Sequence, residues 1–240
     1  MDVVELLGAA SAAALLLCVS PARADNAAPD SRPFLVFAGS DFWRDGAFLY
    51  GGLLWSPGGF AADGFTLKLL LAGGGYTYPS GGLHTDVDGR LLSASALPGW
   101  RLTRDGISIA VYAGPIVQDY RLSPFDPGSL LHGFYSGAQL AADVWYQPTP
   151  TSMVALNGTI ASIAAIGTMR AAVGWQFSEP FFVGPEAQAL WCIDYQQWRL
   201  GAHITGFRIN GIDWSAAAGL AVESFGRVGP YLRLGVNTKF

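Results

Sequence analysis

Serine, histidine and aspartate residues that could form a catalytic triad occur close together in two segments of the chain. They are Ser80, His84 and Asp86 in the first segment and Asp126, Ser129 and His132 in the second. A serine that is activated by a histidine, which a third polar group orients, hydrolyses or transfers acyl groups. Both segments are rich in turn residues, where such side chains are commonly solvated, and the chain has no Gly-x-Ser-x-Gly elbow. We therefore predict no catalytic residues and keep a lipid-modifying enzyme as an alternative.

Metal, cofactor and nucleic-acid chemistry find no support in the sequence. No two histidines have metal-ligand spacing, and the segment Asp86-Val87-Asp88-Gly89 lacks the downstream glutamate of a calcium loop. The net charge is −4, and the basic residues are scattered rather than grouped in a patch. We predict that the protein binds no metal, no cofactor and no nucleic acid.

The strands that carry the polar residues are recognised by apolar and polar residues at alternate positions. In the last segment, 228–240, one parity is apolar and the other is polar or small. The apolar set is Leu232, Leu234, Val236, Thr238 and Phe240, and the polar set is Tyr231, Arg233, Gly235, Asn237 and Lys239. Side chains on a strand alternate between faces, so the segment predicts a strand with one oily face. Its terminal aromatic residue resembles the signal by which bacterial outer-membrane barrels reach their insertion machinery.

Similar alternation recurs along the chain in runs of about ten residues, which is the length of a membrane barrel strand. Ordinary soluble strands are shorter, at about five or six residues. The chain is 51% hydrophobic, yet no segment of the mature chain reads as a membrane helix. In lipid, strands satisfy their backbone groups only in a closed barrel. The sequence therefore predicts an all-β fold, a closed antiparallel up-and-down transmembrane β-barrel of about twelve strands, with ten to fourteen also compatible.

Hairpin-type turns and prolines set the limits of the predicted strands. The strands span residues 34–43, 47–56, 65–78, 89–102, 107–121, 134–148, 152–162, 167–178, 181–193, 197–209, 212–224 and 228–240. With the amino terminus in the periplasm, both long connections, 79–88 and 123–133, fall on the outer side, as outer-membrane barrels require.

The amino-terminal segment predicts export from the cytoplasm. An apolar run over 6–19 precedes an Ala-x-Ala site ending at Ala24, which is typical of a secretory signal peptide. Its leading region carries Asp2 and Glu5 where basic residues are expected, so the true start codon is left open. We predict a signal peptide over 1–24, a short linker over 25–33 and an outer-membrane β-barrel over 34–240. The mature chain then has one cysteine, Cys192, and no intramolecular disulfide.

The inward parity of the predicted strands collects charged residues, which are Lys68, Asp143, Arg170, Glu186, Arg199, His203, Asp213, Glu223 and Arg233. Such groups are tolerated in a narrow lumen only when they pair with one another or meet water. Two interpretations remain open, a salt-bridged and mostly plugged interior or a small aqueous or sugar-binding conduit. In the second case the binding candidates are Lys68, Asp143, Arg170, Glu186, Arg199, His203 and Arg233. Aromatic candidates for glycan contact in the outer loops are Tyr78, Phe125, Phe134 and Tyr135.

Several short phrases resemble those of the BcsS family of cellulose-biosynthesis proteins in alphaproteobacteria. They are Gly51-Gly52-Leu53-Leu54-Trp55-Ser56-Pro57-Gly58-Gly59, Asp63-Gly64-Phe65, Lys68-Leu69-Leu70, Gly184-Pro185-Glu186-Ala187 and Arg199-Leu200-Gly201-Ala202-His203. The likeness extends over essentially the whole mature chain. The resemblance implies a secreted protein associated with bacterial cellulose production, without assigned catalytic residues.

Taken together, these observations predict a non-catalytic accessory protein of cellulose or related exopolysaccharide export or anchoring, located in the bacterial outer membrane. The expected partners are outer-membrane lipid, cellulose or another glucan, and the cellulose synthase and export machinery. A general small-solute porin and, less favoured, a lipid-modifying barrel enzyme are the alternatives.

Overall fold

In a computed structural model, the described residues are 31–178, 181–193, 195–224 and 226–240. The predicted signal peptide over 1–24 lies outside the described residues, as does the predicted linker up to residue 30. Residues 31–33 lead directly into the first strand without regular secondary structure.

Twelve β-strands make up most of the described chain. They are β1 (Phe34–Trp43), β2 (Gly46–Trp55), β3 (Gly64–Ser80), β4 (Thr85–Arg104), β5 (Ile107–Ser123), β6 (Gly133–Thr149), β7 (Ser152–Ala161), β8 (Gly167–Ser178), β9 (Phe181–Cys192), β10 (Tyr195–Ile209), β11 (Ile212–Glu223) and β12 (Val228–Lys239). A short 3₁₀ turn at Ile163–Ala165 lies between β7 and β8. The predicted number of strands is confirmed, and most boundaries agree within two residues.

The strands form one closed antiparallel barrel in which each pairs with its neighbours in sequence and β12 returns to pair with β1. In the closing pair, Leu35 lies opposite Lys239 and Trp43 lies opposite Tyr231. Closure leaves no unpaired sheet edge along the wall, as lipid requires. The described part of the chain has no helix long and apolar enough to span a membrane. The predicted fold class is thus confirmed.

The third-to-fourth connection differs from its prediction. The sequence 79–88 was expected to be a loop, but β3 and β4 extend so far that only residues 81–84 connect them. Pro79 pairs opposite Asp86 inside this extension. Thr77, which has the same parity, donates its backbone N–H to the carbonyl of Asp45 in the turn before β2, and no residue of β2 lies opposite Pro79. The missing N–H of Pro79 therefore faces an unpaired edge, where proline is tolerated.

The outward face is apolar across the middle of the barrel. Exposed aromatic side chains mark its end near the chain termini, and they are Trp55, Phe65, Trp100, Tyr146, Trp175 and Trp214. Tryptophan and tyrosine rings, which have one polar edge, prefer the membrane–water interface, so the members of this set other than Phe65 are expected to mark the end of the apolar band on the side of the chain termini.

The buried apolar side chains of the described residues form four clusters, of which two are large. The outer cluster, near the end opposite the termini, is built around Tyr76, Tyr78, Tyr120 and Tyr195 together with aliphatic neighbours. The second large cluster lies in the half of the lumen nearer the chain termini, on the side of the first strands, and includes Leu35, Phe37, Leu54, Leu97 and Tyr112. Polar residues of the lumen lie between and beside these two clusters.

Candidate functional site in the barrel lumen

Glu186 lies at the centre of a buried ion network in the lumen. Its Oε2 atom accepts hydrogen bonds from Arg170 Nε at 2.9 Å and from Arg233 Nη2 at 2.5 Å. Its Oε1 atom accepts from the Tyr231 hydroxyl at 3.1 Å and from the Gln188 amide at 3.0 Å. Only 2% of Glu186 is exposed, so these four donors offset the cost of removing the carboxylate from water.

The contacts continue from Arg170 along the inner wall, because Arg170 lies opposite Asn157 and Asn157 lies opposite Asp143 in the strand pairing. Arg170 Nη1 donates to Asn157 Oδ1 at 3.2 Å, and the Asn157 amide donates to Asp143 Oδ1 at 3.0 Å. Asp143 Oδ2 in turn accepts the ammonium group of Lys68. We call this set the central network, and its residues are Arg233, Glu186, Arg170, Asn157, Asp143 and Lys68. It joins β12, β9, β8, β7, β6 and β3, since it follows the inner wall from β9 to β6 and its end contacts reach across the lumen to β12 and β3.

A second set of contacts, the outer network, lies nearer the outer end. Nη1 of Arg199 lies 2.7 and 2.8 Å from the two carboxylate oxygens of Asp41. Arg199 Nε donates to the side-chain oxygen of Gln197 at 2.7 Å. The amide of Gln197 reaches the Tyr195 hydroxyl and Glu223 Oε1, both at 3.0 Å. The network thus connects β1, β10 and β11.

The outer network reaches the surface through an arginine in the last outer turn. Arg227 lies 3.6 Å from Glu223 and 3.3 Å from Asp45. Across both networks the charged residues comprise five cations and five anions. They are Lys68, Arg170, Arg199, Arg227 and Arg233 against Asp41, Asp45, Asp143, Glu186 and Glu223. The balance explains how so many ionised groups are accommodated away from bulk water.

Tyr231 connects the two networks. Its hydroxyl binds Glu186, while the centre of its ring lies 5.3 Å from the guanidinium carbon of Arg199. The ring of Trp43 lies at a similar distance, 5.2 Å, from the same carbon. Arg199 is therefore held by an ion pair and by two aromatic faces, which is the arrangement of a structural cation rather than of a free binding group.

His203 and Asp213, which share the inward parity, lie apart from the two networks. His203 is buried, and its Nε2 atom lies 3.2 Å from the Val173 carbonyl oxygen. Asp213 forms a two-point pair with Arg208 at the rim near the chain termini, with distances of 2.6 and 3.0 Å. The structure therefore brings six of the seven lumen candidates into the two networks, whereas the hydrogen bond found for His203 among the described residues is the one to Val173.

The four aromatic candidates occupy three different environments. Tyr78 lies in β3, is fully buried in the outer cluster, and donates to Asp126 at 3.1 Å. Tyr135 lies in β6, packs against that cluster, and donates its hydroxyl to the Leu130 carbonyl at 2.8 Å. Phe134, also in β6, and Phe125, in the outer loop 124–132, are 69% and 60% exposed. Only Phe125 is a loop residue, because β3 and β6 extend beyond the apolar band.

The serine and histidine residues of the outer loops do not form a triad. The ring nitrogen Nδ1 of His132 lies 3.2 Å from the backbone oxygen of Ser129, whereas the Ser129 hydroxyl contacts Leu131. The hydroxyl of Ser80 accepts from the backbone N–H of Leu83. Each serine hydroxyl therefore stabilises its own turn. Within the described ranges, no three histidine, cysteine, aspartate or glutamate side chains are grouped as metal ligands.

The sequence prediction missed several members of the networks. Asp41 was missed because β1 carries apolar residues on both faces, so its parity is ambiguous. The amides Asn157 and Gln197, together with Gln188, which donates to Glu186, are not found by a prediction that considers charged side chains alone. Their inward parity is visible in the sequence, so the same alternation predicts them once amides are counted among the polar residues.

The fold and the lumen together define a class of protein, a closed twelve-stranded barrel of the outer-membrane type with a charged, paired interior. Residues 35–240 match the family described as cellulose biosynthesis protein BcsS. The chain belongs to this family, as its sequence resemblance indicated, and so has a role in cellulose biosynthesis. No curated protein matches the chain.

Several solved outer-membrane barrels are similar in fold. The translocator domain of the autotransporter NalP from Neisseria meningitidis gives a TM-score of 0.50 at 14% identity, over 87% of this chain and 88% of that chain. The KdgM porin in complex with disordered oligogalacturonate gives a TM-score of 0.44 at 13% identity, over 86% and 99% of the two chains. A TodX monoaromatic hydrocarbon channel mutant gives 0.49 at 10% identity, over 88% and 91%. At these identities the likeness concerns the fold alone.

Proposed function

We propose that this protein is a non-catalytic outer-membrane accessory of cellulose biosynthesis whose lumen is closed, and that it acts at the cell surface rather than as a conduit. The observation that carries the proposal is the central network, in which Arg233 and Lys68 reach across the lumen to the two ends of a hydrogen-bonded row of side chains on the inner wall from β9 to β6. Directly bonded side chains leave no room for a hydrated sugar between them.

The apolar packing of the lumen supports the same proposal. The outer cluster lies above the central network, and its members Tyr78, Val87 and Tyr120 are at most 1% exposed. A small-solute porin instead needs a polar, water-filled passage. A lumen closed by ion pairs and then by aromatic rings therefore favours a scaffold over a general porin.

The proposed location follows from the match between the barrel and a lipid bilayer. Along β4 the outward positions from Leu102 to Leu92 are apolar or small, and they end at Arg90. This stretch covers about 25 Å of height for a strand tilted by about 40°, which is the apolar height of outer-membrane barrels. The predicted signal peptide over 1–24 supplies the export step of this proposal.

The proposed glycan contact is at the outer surface, where Phe125 and Phe134 are exposed on the loop 124–132 and at the adjacent start of β6. The faces of sugar rings are apolar and pack against aromatic rings, while their hydroxyl groups stay in water. Cellulose or a related glucan is accordingly the proposed partner of this surface, and the synthase and export machinery is the proposed functional partner.

Single-channel recording combined with cellulose measurement tests the proposal. The purified protein in planar bilayers is expected to show no stable conductance, while deletion of its gene is expected to reduce cell-surface cellulose. Steady, nonselective conductance would instead establish the porin alternative. Release of fatty acid from membrane lipid that disappears in His84→Ala or His132→Ala would establish the enzyme alternative.

A further inference from the structure

The loop 124–132 stands well above the apolar band at the outer end of the barrel. On β5 the last apolar outward residue is Val117, and the outward positions after it are Asp119, Arg121 and Ser123. Val117 and Ser123 are separated by about 20 Å along the strand, which is about 15 Å of height for a strand tilted by about 40°. The loop that follows Ser123 therefore lies outside the hydrocarbon and in water.

The exposed side of this loop is nevertheless apolar. Phe125, Leu130 and Phe134, which is the first outward residue of β6, are 60%, 54% and 69% exposed. The exposed residues from 124 to 134 include no aspartate, glutamate, lysine or arginine, and we call them the outer patch. They are Pro124, Phe125, Pro127, Gly128, Leu130, His132, Gly133 and Phe134. Neighbouring apolar side chains on a water-exposed surface indicate an interaction site.

The polar residues of the loop point inward and hold its shape. Asp126 and Ser129 are 1% and 3% exposed. Asp126 accepts hydrogen bonds from the Tyr78 hydroxyl and from the backbone N–H of Gly128. The Ser129 hydroxyl accepts from the backbone N–H of Leu131, whose side chain is buried in the outer cluster. Because these polar groups are occupied inside the loop, they are not available to a ligand.

Tyr135 fixes the part of the outer patch around His132. Its hydroxyl donates to the Leu130 carbonyl at 2.8 Å and accepts from the His132 backbone N–H at 3.3 Å. The His132 ring lies edge-on to the Phe125 ring, with the ring centroids 5.5 Å apart. The patch is therefore pre-organised, and binding to it loses little conformational entropy.

We propose that the outer patch binds the flat face of a cellulose fibril rather than a single glucan chain. The flat face of stacked glucan sheets exposes C–H groups, while the hydroxyl groups lie in the plane and bond to neighbouring chains. Such a face requires apolar contact and few hydrogen bonds. A single chain keeps its hydroxyl groups in water, and a site that buries them has to provide polar partners. Among the members of the patch, only His132 has a polar side chain.

The border of the patch is charged but balanced. Asp119 lies opposite Phe134 in the pairing of β5 with β6, and its carboxylate is 3.0 Å from Arg121. This ion pair keeps the border hydrated, which is the usual arrangement of an apolar centre with a polar rim. The nearby outward charges, Asp86, Asp88 and Asp119 against Arg90 and Arg121, give no positive excess for an acidic polysaccharide. The inference rests on the proposed glycan contact and specifies the form of the glucan.

Sedimentation of the purified protein in nanodiscs with microcrystalline cellulose tests the inference, and cellohexaose is the soluble single-chain probe. The wild-type protein is expected to sediment with microcrystalline cellulose and to give no heat of binding with cellohexaose. Phe125→Ala and Phe134→Ala are each expected to lower the affinity for microcrystalline cellulose about fivefold, as the loss of one aromatic contact does. Phe177→Ala, which removes an 85% exposed ring at the opposite end of the barrel, is the matched control and should bind normally.

Leu130 distinguishes the other possible occupants of the patch. Leu130→Asp, which places a charge among the apolar side chains, is expected to reduce sedimentation with cellulose at least as much as Phe125→Ala. A wild-type dimer that Leu130→Asp dissociates, without binding to cellulose, would assign the patch to a second copy. A nitroxide on Leu130→Cys, in a Cys192→Ala background, is expected to respond to an aqueous nickel reagent. A response to oxygen instead would place the loop in lipid and overturn the inference.

Two results separate this inference from the proposed function. Cellohexaose binding as tight as the binding to microcrystalline cellulose, and weakened by Phe125→Ala, would overturn the fibril-face inference and leave the proposed glycan contact standing. Unchanged sedimentation in both phenylalanine variants would also overturn the inference. Absence of wild-type binding to either form of glucan would contradict the glycan contact itself.

Discussion

Nη1 of Arg199 lies 2.7 Å from the Asp41 carboxylate, although 158 residues separate the two along the chain. Asp41 is on the first strand and Arg199 on the tenth, so only closure of the barrel through β12 brings them together. Both side chains are largely buried, with exposed fractions of 12% and 3%. The pair therefore connects the correct closure of the fold to the filling of its lumen.

Breaking this pair from one side should destabilise the barrel strongly. Asp41→Asn leaves the buried guanidinium of Arg199 without its counter-charge, and such losses cost about 3–5 kcal/mol. The measurement is the free energy of unfolding in urea from lipid vesicles. The double variant Asp41→Leu with Arg199→Met should lose less free energy of unfolding than the sum of the losses in Asp41→Leu alone and Arg199→Met alone. Strictly additive losses would contradict the proposed coupling.

Glu186→Gln should have a comparable or larger effect, because two arginines depend on this one carboxylate. The matched control is Asp213→Asn, which removes a carboxylate from the partly exposed pair with Arg208 and should cost at most about 1 kcal/mol. The migration of unheated samples in gel electrophoresis, as a function of pre-incubation temperature, compares the two variants. Equal stability of both variants would show that the central network does not hold the lumen together.

Phe125→Ala should reduce binding to cellulose without changing stability. Its ring is exposed in the outer loop, so the free energy of unfolding should change by less than about 0.5 kcal/mol. Retention of surface-labelled cells on a cellulose film should fall several-fold if the ring contacts glucan. Tyr78→Phe is the informative contrast, since it removes the buried hydrogen bond to Asp126 and should lower stability by about 1 kcal/mol with binding unchanged.

Two neighbouring glycines should respond differently to the same substitution. A Cβ at Gly52 would collide with the Leu69 carbonyl oxygen and the Phe37 ring, whereas the nearest atom to a Cβ at Gly51 is 3.5 Å away. Gly52→Ala should therefore lower the free energy of unfolding by about 1–3 kcal/mol. Gly51→Ala should stay within about 0.5 kcal/mol of wild type in the same measurement. The reverse order would contradict the orientation of β2.

Asp63, in the turn before β3, should titrate at a lower pH than an ordinary aspartate. The Arg104 guanidinium, which binds the Asp63 side chain, and the backbone N–H of Thr103 hold the pKa of Asp63 below its ordinary value. A lowered carboxyl pKa stabilises the fold at neutral pH, and this contribution disappears as the pH falls through the lowered pKa. Carboxyl-carbon NMR in detergent micelles should detect the shift, and Arg104→Gln should largely reverse it. The effect on overall stability should be small because both groups are solvent-exposed.

The sequence alone determined which residues of each strand face outward and which face inward in this barrel. In β12, Leu232, Leu234 and Val236 share one parity and Arg233 has the other. This alternation follows from the geometry of a single strand, so it does not depend on the rest of the fold. Failures arose where the local signal was weak or misleading. Asp41 was hidden by a strand that is apolar on both faces, and Pro79 looked like a strand terminator because the unpaired edge beside it is a property of the sheet.

The tertiary structure decided what the inward residues do. Nothing in the spacing of Lys68, Asp143 and Glu186 indicates that they belong to one connected set, because they come from β3, β6 and β9 and meet only across the lumen. Strand closure and stagger set which inward positions share a level, and those quantities depend on all twelve strands together. The face on which a residue lies depends only on its neighbours along the strand, whereas its partner across the lumen depends on the arrangement of all twelve strands.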